Sequence, residues 1–167
     1  MAGSLGGGIH DGHLYSAPPA RKVLGSRLLF RESGEAGYQL TRSVSLSVML
    51  DHLSNAGLAL NTAGATNYAY AGLTWRGRPW RRWLALPEGL FVAGSLGGGI
   101  HDGHLNSGPP DRKLLGSRLL FRESVEAGYQ LTRRVSLSVM LDHLSNADLA
   151  VPNQGLTNFG ARIGVTF

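Results

Sequence analysis

Val44-Ser45-Leu46-Ser47-Val48-Met49-Leu50-Asp51-His52-Leu53-Ser54-Asn55-Ala56 is the stretch that decides the fold, and it recurs as residues 135–147. At a period of two, its aliphatic side chains fall on one face, while serine, methionine and aspartate fall on the other. This alternation and the β-branched content predict a strand rather than a helix. The same alternation carries His52 and Ser54 onto the apolar face, at its end. The sequence therefore predicts a strand that presents a base and a nucleophile side by side.

The chain contains a tandem duplication, which sets its domain organisation. Residues 2–60 match residues 93–151 at a constant offset of 91, with eight differences. The likeness then continues more weakly with a one-residue slip, so that residues 72–75 correspond to residues 164–167. We divide the chain into a first four-stranded repeat (1–75), a basic tryptophan-rich linker (76–90) and a second four-stranded repeat (91–167), which together form one barrel.

Each repeat is predicted to form four amphipathic strands. A soluble sandwich would bury the apolar faces as its core, whereas a transmembrane barrel would turn them toward lipid. The strands run to about 10 to 13 residues, a length that suits tilted membrane strands better than soluble ones. Four strands per repeat give eight, the smallest usual closed barrel. The pattern therefore favours an all-β fold: an eight-stranded antiparallel transmembrane β-barrel built from two four-stranded repeats.

Composition narrows the classes of partner. The 167 residues include no cysteine, which excludes disulfides and thiolate metal sites. A net charge of +5 suits an anionic partner such as phosphate-bearing lipid. The opening Met1-Ala2-Gly3-Ser4 has no apolar run, so a signal peptide is predicted to be absent from this chain. The motif His10-Asp11-Gly12-His13 lacks a third spaced ligand and is attributed to loop polarity, so no metal or cofactor is expected.

The linker is the one strongly basic and aromatic segment, with Arg76-Gly77-Arg78-Pro79-Trp80-Arg81-Arg82-Trp83. Arginine and tryptophan together are typical of a membrane interface. They also occur where proteins bind nucleic acid by charge and stacking. No nucleic-acid motif accompanies the cluster, so we favour the interface and expect no nucleic-acid partner.

Three groups of residues, in the same order in both repeats, resemble the outer-membrane lipid A 3-O-deacylase family. In the first repeat they are Leu24-Gly25-Ser26-Arg27-Leu28-Leu29-Phe30-Arg31-Glu32-Ser33, Glu35-Ala36-Gly37-Tyr38 and Met49-Leu50-Asp51-His52-Leu53-Ser54-Asn55-Ala56-Gly57-Leu58. Each repeat resembles the C-terminal half of that family's eight-stranded barrel. The resemblance implies a serine esterase of the bacterial outer membrane. Its substrate would be the acyl ester at the 3 position of lipid A in lipopolysaccharide.

The resemblance also implies one set of site residues per repeat, facing lipid on the outer wall. The nucleophile is Ser54 or Ser145, the general base is His52 or His143, and the oxyanion donor is Asn55 or Asn146 with the backbone N–H groups that follow. These roles fit the chemistry of ester cleavage, because the hydroxyl needs a base and the tetrahedral oxyanion needs fixed donors.

The third member of the expected triad, an acidic residue, is not found at the family's position. The family's acidic position, which orients the histidine, aligns with Thr66 and Thr157, and neither is acidic. Loss of that carboxylate can cost a serine triad roughly 10⁴-fold in rate. One substitute is a neutral hydrogen bond to the imidazole from Thr157 or Asn158.

The other substitute is a carboxylate on the preceding strand. If Thr41-Arg42-Ser43 is a three-residue turn, Glu32 falls opposite His52, and Glu123 would occupy the same position in the second repeat. A glutamate on a lipid-facing strand needs such a partner. Both substitutes remain open from the sequence.

Further expectations concern the surroundings of the site. Arg31 and Glu35 are predicted to pair in the lumen, and basic residues near the His-x-Ser end to contact lipid A phosphates: Arg21, Lys22, Arg27, Arg112, Lys113 and Arg118. The second repeat is favoured for activity because its last strand keeps the alternation. The alternatives are a non-catalytic barrel left by duplication and a basic binding module built on the linker. A homodimer is also possible.

Overall fold

The computed structural model describes residues 1–10, 28–54, 66–77, 88–102, 105, 115–153 and 155–167, without the side chains of residues 10 and 66. The described chain is built from eight strands: β1 (Ala2–His10), β2 (Leu28–Gln39), β3 (Val44–Ser54), β4 (Thr66–Gly77), β5 (Leu90–His101), β6 (Leu119–Gln130), β7 (Val135–Ser145) and β8 (Leu156–Thr166). Within these residues, no helix is long and apolar enough to cross a membrane.

The eight strands form one closed antiparallel barrel. Each strand pairs with its neighbours in sequence, and β1 also pairs with β8, which closes the cylinder. The two repeats of one chain therefore close on each other, and the predicted fold class is confirmed. β4 continues through Gly77 and β5 begins at Leu90, so both strands extend into the segment 76–90 that the sequence assigns to the linker. Residues 78–87 lie outside the described part of the chain.

The faces of the strands decide between a sandwich and a membrane barrel. Aliphatic side chains stand on the outside, with Leu50, Leu96 and Val125 more than 60% exposed. Charged side chains lie inside, where Asp142 is 1% and Arg122 is 5% exposed. A soluble domain would reverse this arrangement, since it leaves few contiguous apolar patches in water. The apolar wall is the surface that contacts lipid, as predicted from the period of two.

A network of buried ion pairs crosses the lumen and joins the two repeats. Arg31 of β2 contacts Asp51 on the adjacent β3, and its Nη1 donates to Asp142 Oδ1 of β7 at 3.1 Å. Arg122 contacts the other oxygen of Asp142 at 3.3 Å and lies 5.3 Å from the centre of the Tyr70 ring. Each buried charge thus has a partner of opposite sign, as burial requires. The predicted pairing of Arg31 with Glu35 is wrong, because Arg31 reaches across to Asp51 and Asp142.

Close packing of two strands around the lumen depends on glycine. A Cβ on Gly97 of β5 would lie 2.6 Å from the carbonyl oxygen of Ala71 and 2.9 Å from Gly72 Cα of β4. A side chain there would force the strands apart, which explains the glycine-rich composition of this part of each repeat. A cluster of buried apolar side chains fills the lumen near the His-x-Ser end: Leu53, Tyr68, Tyr70, Leu115, Leu120 and Leu144.

The two ends of the barrel differ. Short turns at residues 40–43 and 131–134 join β2 to β3 and β6 to β7, on the side that also carries both chain termini. The connections β1–β2, β3–β4, β5–β6 and β7–β8 are longer and lie at the opposite end, while the β4–β5 connection (residues 78–89) is also long but lies on the side of the short turns. In outer-membrane barrels the short turns are periplasmic and the long loops are external. Both His-x-Ser pairs lie at the end of the long loops.

Candidate active site

The two His-x-Ser pairs occupy the last outward positions of β3 and β7. His52 follows the outward Leu46, Val48 and Leu50, while the alternate residues Asp51 and Leu53 are buried in the lumen. This confirms the face predicted for the pair. Three strands lie between β3 and β7 in either direction around the barrel. The protein therefore carries two separate candidate sites, one on each side of the barrel.

Asn67 is the residue that contacts His52 across the strand pair. In the register of β3 with β4, His52 lies opposite Asn67, and the imidazole Nδ1 is 2.9 Å from Asn67 Oδ1. Thr66 lies opposite Leu53, one position away, so its alignment with the family's orienting position is wrong. The cause is the one-residue slip between the repeats, which shifts β4 against β3 and brings an amide to the position that the second repeat fills with threonine.

Asp102 lies directly behind Asn67. The Asn67 side chain donates from Nδ2 to Asp102 Oδ2 at 2.5 Å, and its backbone N–H donates to Asp102 Oδ1 at 2.9 Å. Partial burial raises the pKa of Asp102, but the hydrogen bonds from Asn67 and from its own backbone outweigh this effect and hold the pKa below its ordinary value. Asp102 is therefore an ionised carboxylate at neutral pH, in hydrogen-bonded contact with the residue that touches His52.

The second repeat uses threonine at the corresponding place. His143 lies opposite Thr157, and its Nδ1 is 3.0 Å from Thr157 Oγ1. Of the two neutral partners predicted, the geometry favours Thr157. The prediction that Asn158 contacts the imidazole is wrong, because Asn158 is buried in the lumen opposite Asp142 and thus lies on the other face of β8.

The two alternative carboxylates, Glu32 and Glu123, lie at the positions that a three-residue turn at 41–43 predicts. Glu32 is opposite His52 and Glu123 is opposite His143, so the predicted register is confirmed. Both are exposed on the outer face. Among the described residues, however, the Nδ1 atoms are engaged by Asn67 and Thr157, not by these glutamates. An orienting role for Glu32 and Glu123 stays a prediction.

The serine of the second repeat contacts a backbone donor. The N–H of Ala147 donates to Ser145 Oγ at 3.4 Å, which brings a fixed donor beside the atom that would attack.

Asn146 holds the loop after β7. It is completely buried, and its Nδ2 donates to the carbonyl oxygens of Leu115, Ala150 and Pro152 at 2.9–3.2 Å. Its side-chain donors are thus engaged by the loops, whereas the backbone N–H of Ala147 points toward Ser145 Oγ. The oxyanion role predicted for Asn146 stays a prediction. The corresponding Asn55 lies outside the described residues.

A tight turn presents that N–H. Ala147 and Asp148 have φ values of 52° and 60°, and Leu149 N–H donates to Asn146 O at 3.1 Å. Two left-handed residues closed by this bond form a type I′ turn. Asp148, which replaces the glycine at position 57 of the first repeat, accepts a hydrogen bond from Asn153 at 2.8 Å. Aspartate tolerates this conformation better than most residues, so the turn survives the substitution.

An open groove of about 630 Å³ runs along the outer wall beside the first pair. Its apolar lining includes Leu50 and Ile100 on the lipid-facing surface. Its polar end, toward the long loops, is formed by five side chains: Glu32, His52, Asn67, Asp102 and Arg118. The groove thus joins an apolar track to a polar end at His52, the shape that a lipid with a polar headgroup would fill.

Sequence reasoning missed Asn67 and Asp102. The one-residue slip prevented the prediction of Asn67, because alignment of the two repeats assigns the position opposite His52 to Thr66. Asp102 belongs to the second copy of the motif that was attributed to loop polarity, and the recurrence of that motif was the available signal. In the first copy, residues 11–13 lie outside the described residues. Of the basic residues assigned to phosphate, only Arg118 is described, and its Nη1 donates to the carbonyl oxygen of His101 at 3.2 Å.

The sequence profile of the lipid A 3-O-deacylase (PagL) family matches this chain twice, at residues 1–71 and 69–166. This chain belongs to the PagL family. The first match lies within the first repeat, and the second covers the linker and nearly all of the second repeat. Members of this family are lipid A ester hydrolases of the bacterial outer membrane. A search of curated proteins found no match.

Solved structures agree with the fold. The outer membrane enzyme PagL superposes over 100% of both chains with a TM-score of 0.61 at 16% sequence identity. Neisserial surface protein A superposes over 99% of this chain and 94% of its own, with a TM-score of 0.52 at 13% identity. At these identities the likeness extends to the outer-membrane barrel and not to the side chains of the site.

Proposed function

We propose that this PagL-family barrel hydrolyses the ester-linked acyl chain at the 3 position of lipid A through its outward His-x-Ser pairs. The observation that carries the proposal is the first-repeat site, where His52 is held by Asn67 at the polar end of a lipid-facing groove. An imidazole fixed beside a serine on an apolar outer wall has little structural use. It is well suited to an ester that arrives within the membrane.

The proposed reaction proceeds in two steps. The serine Oγ attacks the ester carbonyl carbon while the imidazole Nε2 accepts the hydroxyl proton, and backbone N–H groups stabilise the resulting oxyanion. Collapse of the tetrahedral intermediate breaks the bond to the sugar oxygen, which leaves as a hydroxyl after taking the proton from the imidazole. Water then attacks the acyl-serine with the same base, and the fatty acid is released.

The groove supports lipid A as the substrate. An acyl chain would lie along the apolar track past Leu50 and Ile100, which are 64% and 61% exposed. The headgroup would lie at the external end, where Arg118 offers a guanidinium to a phosphate. The scissile ester joins these two parts of the substrate, and His52 stands where they meet.

The test is mass analysis of lipid A incubated with the purified barrel in detergent or in vesicles. We expect the mass to fall by one ester-linked acyl chain, with the corresponding free fatty acid in the lipid extract. Tandem fragmentation should assign the loss to the 3 position. A folded barrel that leaves lipid A intact would refute the proposal and favour a non-catalytic product of the duplication.

A further inference from the structure

We propose that Asp102, acting through Asn67, is the positioning carboxylate of the first-repeat site. The second repeat would thus supply the acid that the first repeat lacks. This inference concerns the mechanism of the same site and rests on the proposed function. It departs from the expected triad, because the carboxylate lies one strand further away and an amide stands between it and the imidazole.

The geometry forms a chain of three side chains on three adjacent strands or their ends. His52 lies on β3 and Asn67 on β4, while Asp102 directly follows β5. Their contacts are 2.9 Å from imidazole to amide and 2.5 Å from amide to carboxylate. The backbone adds a further constraint, because Asp102 N–H donates to the carbonyl of Asn67 at 3.3 Å. Asp102 is therefore fixed on Asn67 by side chain and main chain together.

The direction of the hydrogen bonds follows from the charge of Asp102. An ionised carboxylate only accepts hydrogen bonds, so Asn67 must turn its NH₂ group toward Asp102. The amide oxygen must then face His52, and an oxygen acceptor requires a proton on the imidazole Nδ1. Nε2 is left unprotonated, with its lone pair available as the base. The carboxylate thus selects the catalytic tautomer of His52 without touching it.

The same contacts also stabilise the positively charged imidazolium of His52 that forms while the serine attacks the ester. When Nε2 takes the serine proton, the imidazolium is stabilised by the amide oxygen, which Asp102 polarises through the Nδ2 donor. An intervening amide weakens this effect relative to a carboxylate in direct contact. Orientation of the base is consequently the larger part of the role.

The kinetic test isolates the first site in a Ser145→Ala background. Adding Asp102→Asn should lower kcat between about 10- and 100-fold, less than the roughly 10⁴-fold loss for a carboxylate in direct contact with the histidine. KM should stay within about twofold, because Asp102 orients the base and does not bind the acyl chain. Asp102→Glu should recover part of the rate. Asn67→Asp added to Asp102→Asn should also restore it, since that pair brings the carboxylate onto the imidazole.

The matched control is Asp11→Asn, the same change in the other copy of the motif, in the same Ser145→Ala background. It should leave the Ser54-dependent rate unchanged. The inference is overturned if Asp102→Asn keeps kcat within twofold of its background, or if the Ser145→Ala barrel is inactive while the Ser54→Ala barrel is active.

A second measurement does not depend on deacylation. Nitrogen-15 chemical shifts of His52 in the folded barrel report which ring nitrogen carries the proton. We expect the Nδ1–H tautomer at neutral pH, and a mixture of both tautomers in Asp102→Asn, where an amide at position 102 can donate as well as accept. An Nε2–H tautomer, or shifts unchanged by the substitution, would overturn the inference. Failure of lipid A cleavage with the expected tautomer would refute the proposed function alone.

Discussion

Replacing both candidate nucleophiles, Ser54→Ala together with Ser145→Ala, will reduce acyl release from lipid A by about 10³-fold or more. Each serine lies beside a histidine whose Nδ1 is engaged by Asn67 or Thr157. In the proposed mechanism the other ring nitrogen, Nε2, takes the proton of the serine hydroxyl, so removal of the hydroxyl removes the nucleophile. Because the barrel has two candidate sites on opposite walls, the double variant is the informative one. Either single variant leaves the other site intact. The measurement is the initial rate of fatty-acid release.

The matched control removes two hydroxyls from the same strands on the opposite face. Ser47 of β3 and Ser138 of β7 are buried in the lumen, at 7% and 8% exposure. Ser47→Ala with Ser138→Ala should retain activity within about twofold, because neither hydroxyl reaches the lipid-facing wall. If the two double variants lose activity equally, the outward serines have no special role in the reaction.

Asp142→Asn will destabilise the barrel more than any other change to a described ion pair. Asp142 is 1% exposed and contacts both Arg31 and Arg122, so its loss leaves two buried guanidinium groups with the single carboxylate of Asp51. Removing one partner from a buried pair costs about 3–5 kcal/mol, because the remaining charge stays out of water. The measurement is the free energy of unfolding in urea, followed by tryptophan fluorescence in lipid vesicles.

Two comparisons separate buried charge from general disruption. Glu126→Gln removes the partner of Arg162, a pair that is 2.6 Å apart but more exposed, and should cost less. Arg122→Met added to Asp142→Asn should recover part of the lost stability, since it removes one uncompensated charge. An equal loss for Glu126→Gln, or no recovery in the double variant, would contradict the importance assigned to the lumen network.

The barrel was predictable because its pattern is local. Alternation in Val44 to Leu50 determines which side chains share a face, and the turn at residues 41–43 sets the register that places Glu32 opposite His52. Those two features need only neighbouring residues and a turn length. The ion pairs of Arg31 were not predictable in the same way. Its partner Asp142 lies 111 residues away and meets it only when the cylinder closes.

For a related reason, only the part of the site that lies on one strand could be predicted. His52 and Ser54 lie two positions apart on one strand, so the period of two suffices to bring them together. Asn67 depends on the register between β3 and β4, which the slip changes by one residue relative to the second repeat. Asp102 depends in addition on the pairing of β4 with β5, which joins one repeat to the next. Each further strand between His52 and its partner adds one more strand register, and that register cannot be predicted from the sequence of one repeat alone.

The most direct test of a nucleophilic serine on the outer wall is covalent capture. The folded barrel is treated with a long-chain alkyl fluorophosphonate, which phosphonylates activated serines, and the adduct is located by peptide mass mapping. We expect the adduct on Ser54, on Ser145 or on both, with loss of deacylation in proportion to labelling. A barrel that releases acyl chains from lipid A while both serines stay unmodified, or while another serine carries the adduct, would contradict the proposed site.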